Sequence, residues 1–276
     1  MELEILRNIQ SIANPFLDIL FQLITICGEQ MVLVLIISII YWVKDKKFGE
    51  YIAYAVLTSV LVNCVVKDIF KFKRPIGEEG IRTLREKTAT GYSFPSGHTQ
   101  GAGSFYGGMA IYIKKKVMYI IAIIMIILIG FSRLYLGVHY PKDVIVGGIL
   151  GVLISYICYN IYNKYENKIM VYTITFIIFL PALTFAHSED FIKGLGAYFG
   201  FFIGMFIEKR YVNFSVEGKG INKVIRVVIG VLILLCLQKG LKIVLPSEDI
   251  FSFIRYSIIS IFGIGIYPMI FKKLKI

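Results

Sequence analysis

The chain has 276 residues, of which 57% are hydrophobic and only 17% charged, with 30 Lys and Arg against 18 Asp and Glu. Its mean hydropathy is +0.73, too apolar and too poor in charge for an ordinary soluble domain, and no basic, aromatic-studded soluble module exists to bind nucleic acid. A membrane β-barrel is also excluded: barrel strands alternate apolar and polar positions, whereas residues 31–40 and 118–129 are nearly unbroken aliphatic runs.

Residues 1–13 predict a short amphipathic helix at the membrane interface, with Leu3, Ile5, Leu6 and Ile9 opposed to Glu2, Glu4, Arg7 and Asn8. The N-terminus lacks the positive region of a cleavable signal. Residues 16–42, interrupted at Gly28, Glu29 and Gln30, read as one bent span or as a half-inserted segment followed by a short span. Further spans are expected over residues 49–70, 98–113, 117–137, 142–162, 169–186, 191–207, 222–238 and 251–270. The expected fold is therefore an all-α, polytopic transmembrane helical bundle of about nine crossings. Its parts are an interfacial helix and first span (1–43), a core (44–165) and a C-terminal extension of about four spans (166–276).

The flanking charges set an orientation. An alternating path gathers Lys44, Lys46 and Lys47 with Lys114, Lys115 and Lys116, with Lys164 and Lys168, with Lys209 and Arg210, and with Lys272, Lys273 and Lys275. The opposite side receives His187, Ser188, Glu189 and Asp190, and Pro246, Ser247, Glu248 and Asp249. Basic loops stay in the cytoplasm, so the N-terminus is expected outside and the C-terminus inside. Lys239 and Lys242, near an outer end, run mildly against this. One outer segment breaks the rule: residues 67–87 carry Lys67, Lys71, Lys73, Arg74, Arg82, Arg85 and Lys87 against Asp68, Glu78, Glu79 and Glu86. An anionic ligand on the outer face would account for them.

Four cysteines, Cys27, Cys64, Cys158 and Cys236, stand singly in apolar stretches and read as small buried hydrophobes. Gly147 with Gly151, and Gly196 with Gly200 and Gly204, have the spacing of close helix packing.

Two of the three histidines, His98 and His139, fall at outer span ends within polar clusters; His187 reads as a plain loop residue. Lys67 and Arg74 are seven apart, so one helical face would carry both at the end of their span. His139 and Asp143 are four apart, and Pro141 suits the first turn of a helix, so Asp143 would accept the second ring N–H of His139. Arg133 closes the preceding span. Two imidazoles, a carboxylate and fixed cations suit phosphoryl transfer, in which negative charge spreads over the equatorial oxygens. Neutral His139 would attack phosphorus, protonated His98 would give its proton to the leaving oxygen, and Gly97 and Ser96 would offer a close backbone and a hydroxyl.

Three separated segments carry a family likeness: the run from Lys67 to Arg74 and Pro75; Pro95, Ser96, Gly97 and His98; and Ser132, Arg133, His139 and Asp143. In order and spacing they resemble the signature motifs of the type 2 phosphatidic acid phosphatases, the lipid phosphate phosphatases, whose site is shared with vanadium-dependent haloperoxidases. The resemblance implies a metal-independent enzyme without a cofactor, in which His139 forms a phosphohistidine, Asp143 relays to it, and His98 protonates the leaving group and then activates water. Lys67, Arg74, Ser96, Gly97 and Arg133 would bind phosphate. It also implies a lipid phosphate as partner, in a multi-pass protein of the cell membrane with its site facing outward.

Substrate and oligomeric state stay open: phosphatidic acid, phosphatidylglycerophosphate, a sphingoid-base phosphate and undecaprenyl diphosphate all suit the pattern. Two other readings are weaker. A haloperoxidase-like activity would use the same site, and a non-enzymatic scaffold or transporter would need a polar midplane path, for which Asn63 is the one obvious candidate in its span. Arg82, Arg85 and Lys87 match no motif and read equally as headgroup contacts or a solvated loop. Tyr92, Phe94 and Tyr140 read as interfacial aromatics.

Overall fold

The computed structural model describes residues 1–246 and 248–274, so Ser247 and Lys275 of the charge pattern lie outside the described residues. Helices α1 (Glu2–Gln10), α2 (Pro15–Ile26), α3 (Gln30–Ile39) and α4 (Lys46–Phe70) are followed by α5 (Gly97–Ala102) and α6 (Gly108–Ile113). Then come α7 (Lys116–Tyr135), α8 (Pro141–Lys164), α9 (Lys168–Phe179), α10 (Glu189–Ile207), α11 (Gly220–Val244), α12 (Asp249–Ile261) and α13 (Tyr267–Leu274). No strand occurs among the described residues. Wide π turns at Ile40–Lys44, Gly103–Gly107, Glu208–Val212 and Phe262–Ile266 prolong α3, join α5 to α6, prolong α10 and join α12 to α13.

Among the described residues, six helices are long and apolar enough to cross a membrane: Lys46–Phe70, Lys116–Tyr135, Pro141–Lys164, Glu189–Val212, Gly220–Val244 and Asp249–Leu274. The number is seven if α1 and α2, bent by 119° at their junction, act as one. The interruption expected at residues 28–30 is present, since α2 ends before it and α3 begins at Gln30. Asn14 caps α2 by accepting from the Leu17 N–H at 3.0 Å, ahead of Pro15 at its first position.

The chain forms two compact units. The first comprises Met1–Leu33 and Val62–Asn160. Within it α5 packs on α8 through glycine. A Cβ on Gly147 would stand 2.7 Å from the Ser96 carbonyl oxygen, and one on Gly103 would stand 2.6 Å from the Gly148 carbonyl. Only glycine lets the backbones meet this closely. Phe21, Tyr135, Leu136 and Val138 form a buried cluster, against which Ile24, Leu84, Ala89 and Phe131 pack.

The second unit comprises Val34–Leu61 and Ile161–Ile276. Gly196, Gly200 and Gly204 of α10 face the backbone of Phe253, Ser257 and Gly265 respectively, as the glycine spacing anticipated. Two buried carboxylates are matched there. Glu50 accepts from Tyr172 at 2.7 Å and Lys209 at 2.5 Å. Glu208 accepts from Lys46 at 2.6 Å and the Phe214 N–H at 3.1 Å. Pairing of this kind is what makes a buried charge tolerable.

Candidate active site

In the first unit α4 and α7 end where α5 and α8 begin, and the predicted residues collect at that end. The short α5 starts with Ser96, whose Oγ caps the helix by accepting from the Thr99 N–H at 3.4 Å and also lies 3.0 Å from Thr99 Oγ1. The Ser96 N–H donates to the Asp143 carbonyl at 2.9 Å. That bond ties the segment bearing His98 to the start of the helix bearing Asp143, although 47 positions separate Ser96 and Asp143 in the sequence. Ser96 is fully buried, so its hydroxyl serves first as a helix cap.

His139 lies in the short link between α7 and α8 and is 1% exposed. Its Nδ1 is 3.3 Å from Asp143 Oδ2, and its Nε2 is 2.9 Å from Arg74 Nη1. A guanidinium can only donate, so Nε2 accepts and the ring proton resides on Nδ1, directed at the carboxylate. The lone pair of Nε2 is thereby aimed at a cation. Asp143 Oδ2 also takes the Tyr140 N–H at 2.9 Å and the Ser93 hydroxyl at 2.5 Å, and Ser93 Oγ lies 3.4 Å from His139 Nδ1. Burial, then the charges of Arg74, Arg133, Lys67 and His98, hold the His139 imidazole well below the usual histidine range. The ring is neutral in the resting protein.

Arg74 reaches this place by a route the spacing argument did not foresee. Helix α4 stops at Phe70, and Lys71 turns into the left-handed region at φ 51°. Pro75 disfavours helix at the residue before it, so Arg74 is on extended chain and shares no helical face with Lys67. Its guanidinium is fixed instead by carbonyls: Gly91 at 3.0 Å, Thr90 at 2.6 Å and Val138 at 2.9 Å. Lys67 remains on α4 and is only 9% exposed. Gly97 leaves a gap beside it, since a Cβ there would sit 3.4 Å from Asn63 Oδ1 and 3.9 Å from Lys67 Nζ.

Arg133 is completely buried near the end of α7. Its Nη1 donates to Thr25 Oγ1 at 2.9 Å, while Nε and Nη2 have no partner. His98 Nε2 is buried and unpartnered as well. Buried donors left unmatched cost free energy, and clustered among cations they suit an anion with several oxygens. All eight predicted residues, Lys67, Arg74, Ser96, Gly97, His98, Arg133, His139 and Asp143, belong to this one unit.

Sequence reasoning missed several supporting residues. Ser93 lies two positions before the motif proline and is fully buried against Asp143 and His139. Asn63, weighed above as a midplane polar residue, donates instead to the Pro95 carbonyl at 3.2 Å and Gln100 Oε1 at 2.8 Å. Thr25 lies in a stretch that resembled only membrane span, and Glu29 was noted only as part of its interruption. Their polarity inside an apolar run was the available signal. Arg82 is exposed and Arg85 half-buried, and each has an acidic partner. Arg82 pairs with Asp18 at 2.6 and 2.8 Å, and Arg85 pairs with Glu29. Phe94 packs with Phe70 at 5.3 Å and Phe72 at 5.6 Å between ring centroids.

Comparison with known proteins identifies a family. The model of the PAP2 superfamily matches residues 49–167, and that of the PAP2 superfamily phosphatase transmembrane extension matches 192–276. A phosphatidylglycerophosphatase B of Bacillus subtilis is 31% identical over 159 residues, covering 53% of this chain and 75% of that protein. The chain belongs to the PAP2 superfamily. An undecaprenyl-diphosphatase of Sulfolobus acidocaldarius is 32% identical over 119 residues, which is 43% of this chain and 57% of that one. Similarity with this relative therefore spans little more than half its length. Among solved structures, a transmembrane PAP2-type phosphatidylglycerolphosphate phosphatase from Bacillus subtilis is 28% identical with a TM-score of 0.51, covering 59% of this chain and 85% of its own. Aquifex aeolicus LpxE is 26% identical with a TM-score of 0.52, covering 58% and 94%. This PAP2 chain is thus a multi-pass, all-helical membrane protein with two family segments, the second matched to the extension.

Proposed function

We propose that this PAP2 chain is a metal-independent lipid phosphatase that hydrolyses a phosphate mono- or diphosphate ester of a membrane lipid through a phosphohistidine. The observation that carries the reading is the posture of His139: its Nδ1 faces Asp143 at 3.3 Å and its Nε2 faces the Arg74 guanidinium at 2.9 Å. That is the tautomer and direction a nitrogen nucleophile needs.

The chemistry follows from the placements. A phosphoryl group held by Lys67, Arg74, Arg133, the Ser96 hydroxyl and the backbone at Gly97 presents phosphorus to Nε2. The Nε2–P bond forms as the P–O bond to the leaving group breaks, and His98 gives its proton to the departing oxygen. Asp143 balances the positive ring. Water then attacks the phosphohistidine, His98 takes the water proton, the N–P bond breaks, and inorganic phosphate leaves with His139 neutral again. Lys67, Arg74 and Arg133 supply positive charge for the equatorial oxygens of the transition state.

The same reading gives nine crossings, with the N-terminus outside, the C-terminus in the cytoplasm and the site at the extracytoplasmic face. The clusters of basic residues at alternate span ends support the orientation. We assign residues 1–43 to the entry helix and first span, 44–165 to the catalytic core and 166–276 to the extension. The relatives whose names include undecaprenyl-diphosphatase and phosphatidylglycerophosphatase B support a lipid phosphate or diphosphate as substrate.

The test is phosphate release from a panel of purified lipid phosphates and diphosphates, with His139→Ala as control. Release by the parent protein and none by the variant is expected. A fully active His139→Ala protein ends the mechanism.

A further inference from the structure

Arg85 belongs to none of the three motifs, yet the fold delivers it to the site. Its backbone holds φ 55°, a left-handed conformation that a residue with a Cβ keeps only where its surroundings enforce it. Those surroundings are extensive. The Leu84 N–H donates to the Leu136 carbonyl at 3.0 Å, and both the Thr88 N–H and hydroxyl donate to the Arg85 carbonyl at 3.0 and 2.8 Å. Gln10 of α1 brackets Arg82, donating to its carbonyl at 2.7 Å and accepting from its N–H at 2.9 Å. Leu84 and Ala89 pack on the Phe21, Tyr135, Leu136 and Val138 cluster.

The guanidinium of Arg85 donates from Nη2 to Glu29 Oε1, while its Nε is buried without a partner. Glu29 follows Gly28, where a Cβ would come within 3.1 Å of the His98 carbonyl, and lies one turn beyond Thr25, which holds Arg133 at 2.9 Å. The end of α2 thus gathers Arg85, the His98 backbone and Arg133. The contacts of Arg85 thus run through Glu29 to the end of α2, which adjoins the His98 backbone and Arg133, whereas the ring of His139 meets Asp143, Arg74 and Ser93. This places Arg85 beside the segment of the acid and the leaving group.

The leaving group of a monophosphate ester is an alcohol once His98 has protonated it, and it needs no additional cation. The leaving group of a diphosphate is a lipid monophosphate, which departs with negative charge beside His98. A guanidinium fork suits that group. We propose that Arg85, steadied by Glu29, holds the second phosphate of a lipid diphosphate and biases this site toward diphosphates over monophosphates. The proposal rests on the phosphohistidine reading and names the substrate class within it. The bond formed is His139 Nε2 to the terminal phosphorus, the bond broken joins that phosphorus to the bridging oxygen, and that oxygen takes the His98 proton.

The test uses the full chain in detergent with an isoprenyl diphosphate and the monophosphate of the same isoprenyl group, so that only the second phosphate differs. Arg85→Gln should lower kcat/KM for the diphosphate about ten- to a hundredfold, the range of a lost charge-assisted hydrogen bond. The monophosphate value should stay within about threefold. A general folding defect lowers both and cancels in the ratio, so an unchanged ratio overturns the proposal. A second measurement needs neither a variant nor turnover: inorganic pyrophosphate should raise the melting temperature of the parent protein at a concentration at least tenfold below that required of inorganic phosphate. Equal or weaker action by pyrophosphate also overturns it. Absence of turnover on every lipid, or turnover by His139→Ala, breaks the phosphohistidine reading instead, and the pyrophosphate comparison, repeated with Arg85→Gln, still reports on Arg85: the variant should lose the tenfold advantage of pyrophosphate, and an advantage retained overturns the proposal.

Discussion

Replacing Asp143 by Asn isolates the charge behind the nucleophile from its geometry. Oδ2 of Asp143 receives three donors at once: the Ser93 hydroxyl at 2.5 Å, the Tyr140 N–H at 2.9 Å and His139 Nδ1 at 3.3 Å. An Asn carbonyl oxygen can meet the same three, so the tautomer that frees Nε2 survives. What disappears is the counter-charge for the ring when it carries phosphate. A unit charge pair at 3.3 Å is worth about 5 kcal/mol at an effective dielectric near 20. The neutral hydrogen bond that remains offsets part of this, leaving about 3–4 kcal/mol on the barrier, or roughly 10²–10³ in rate. Single-turnover assays quenched in alkali, where phosphohistidine survives, should show slowed formation of the intermediate with substrate affinity preserved. An Asp143→Asn protein that forms the intermediate within about threefold of the parent rate would refute the assigned role.

Other expectations follow from the same contacts. Arg133→Ala should cost about 10²–10³ in phosphate release, the effect of one preorganised donor, whereas Thr25→Val, which removes only its Nη1 partner, should cost less; equal losses would mean that Arg133 acts as packing. Burial and neighbouring cations hold the His139 pKa low, and the ring attacks only when neutral, so the acid limb of kcat/KM should fall below about pH 6.5, the ordinary histidine value. Arg74→Gln removes one of those cations and should move that limb upward in pH; a downward shift or none contradicts the assignment. Gly147→Ala places a methyl 2.7 Å from the Ser96 carbonyl and should destabilise the protein by about 1–3 kcal/mol, as overpacking does, read as a lower melting temperature in detergent with phosphate release reduced alongside. An unchanged melting temperature would show that the two helices separate freely.

Much of the helical layout was legible because membrane helices announce themselves through long apolar runs. Helices α7, α8, α10 and α11 fall where hydropathy put them, and the break after α2 was visible as Gly28, Glu29 and Gln30. The glycine pairs were legible for a similar reason, since spacing along a helix maps directly onto a face. Arg74 was harder. Its separation from Lys67 looked helical, but Lys71 and Pro75 take the chain out of the helix, and the guanidinium is placed by three carbonyls contributed from residues 90, 91 and 138. Ser93 and Thr25 were invisible because a lone hydroxyl near a span end carries no periodic signal.

From sequence alone came the membrane class, the glycine faces and the residue types a phosphoryl site requires, because these depend on composition and on spacing within single segments. Only the tertiary structure decided which side chains share one place. The Ser96 N–H bond to the Asp143 carbonyl, the aim of His139 between Asp143 and Arg74, and the delivery of Arg85 by Glu29 all join parts of the chain far apart in sequence. Such contacts depend on how helix ends pack against one another, and no local pattern encodes that packing.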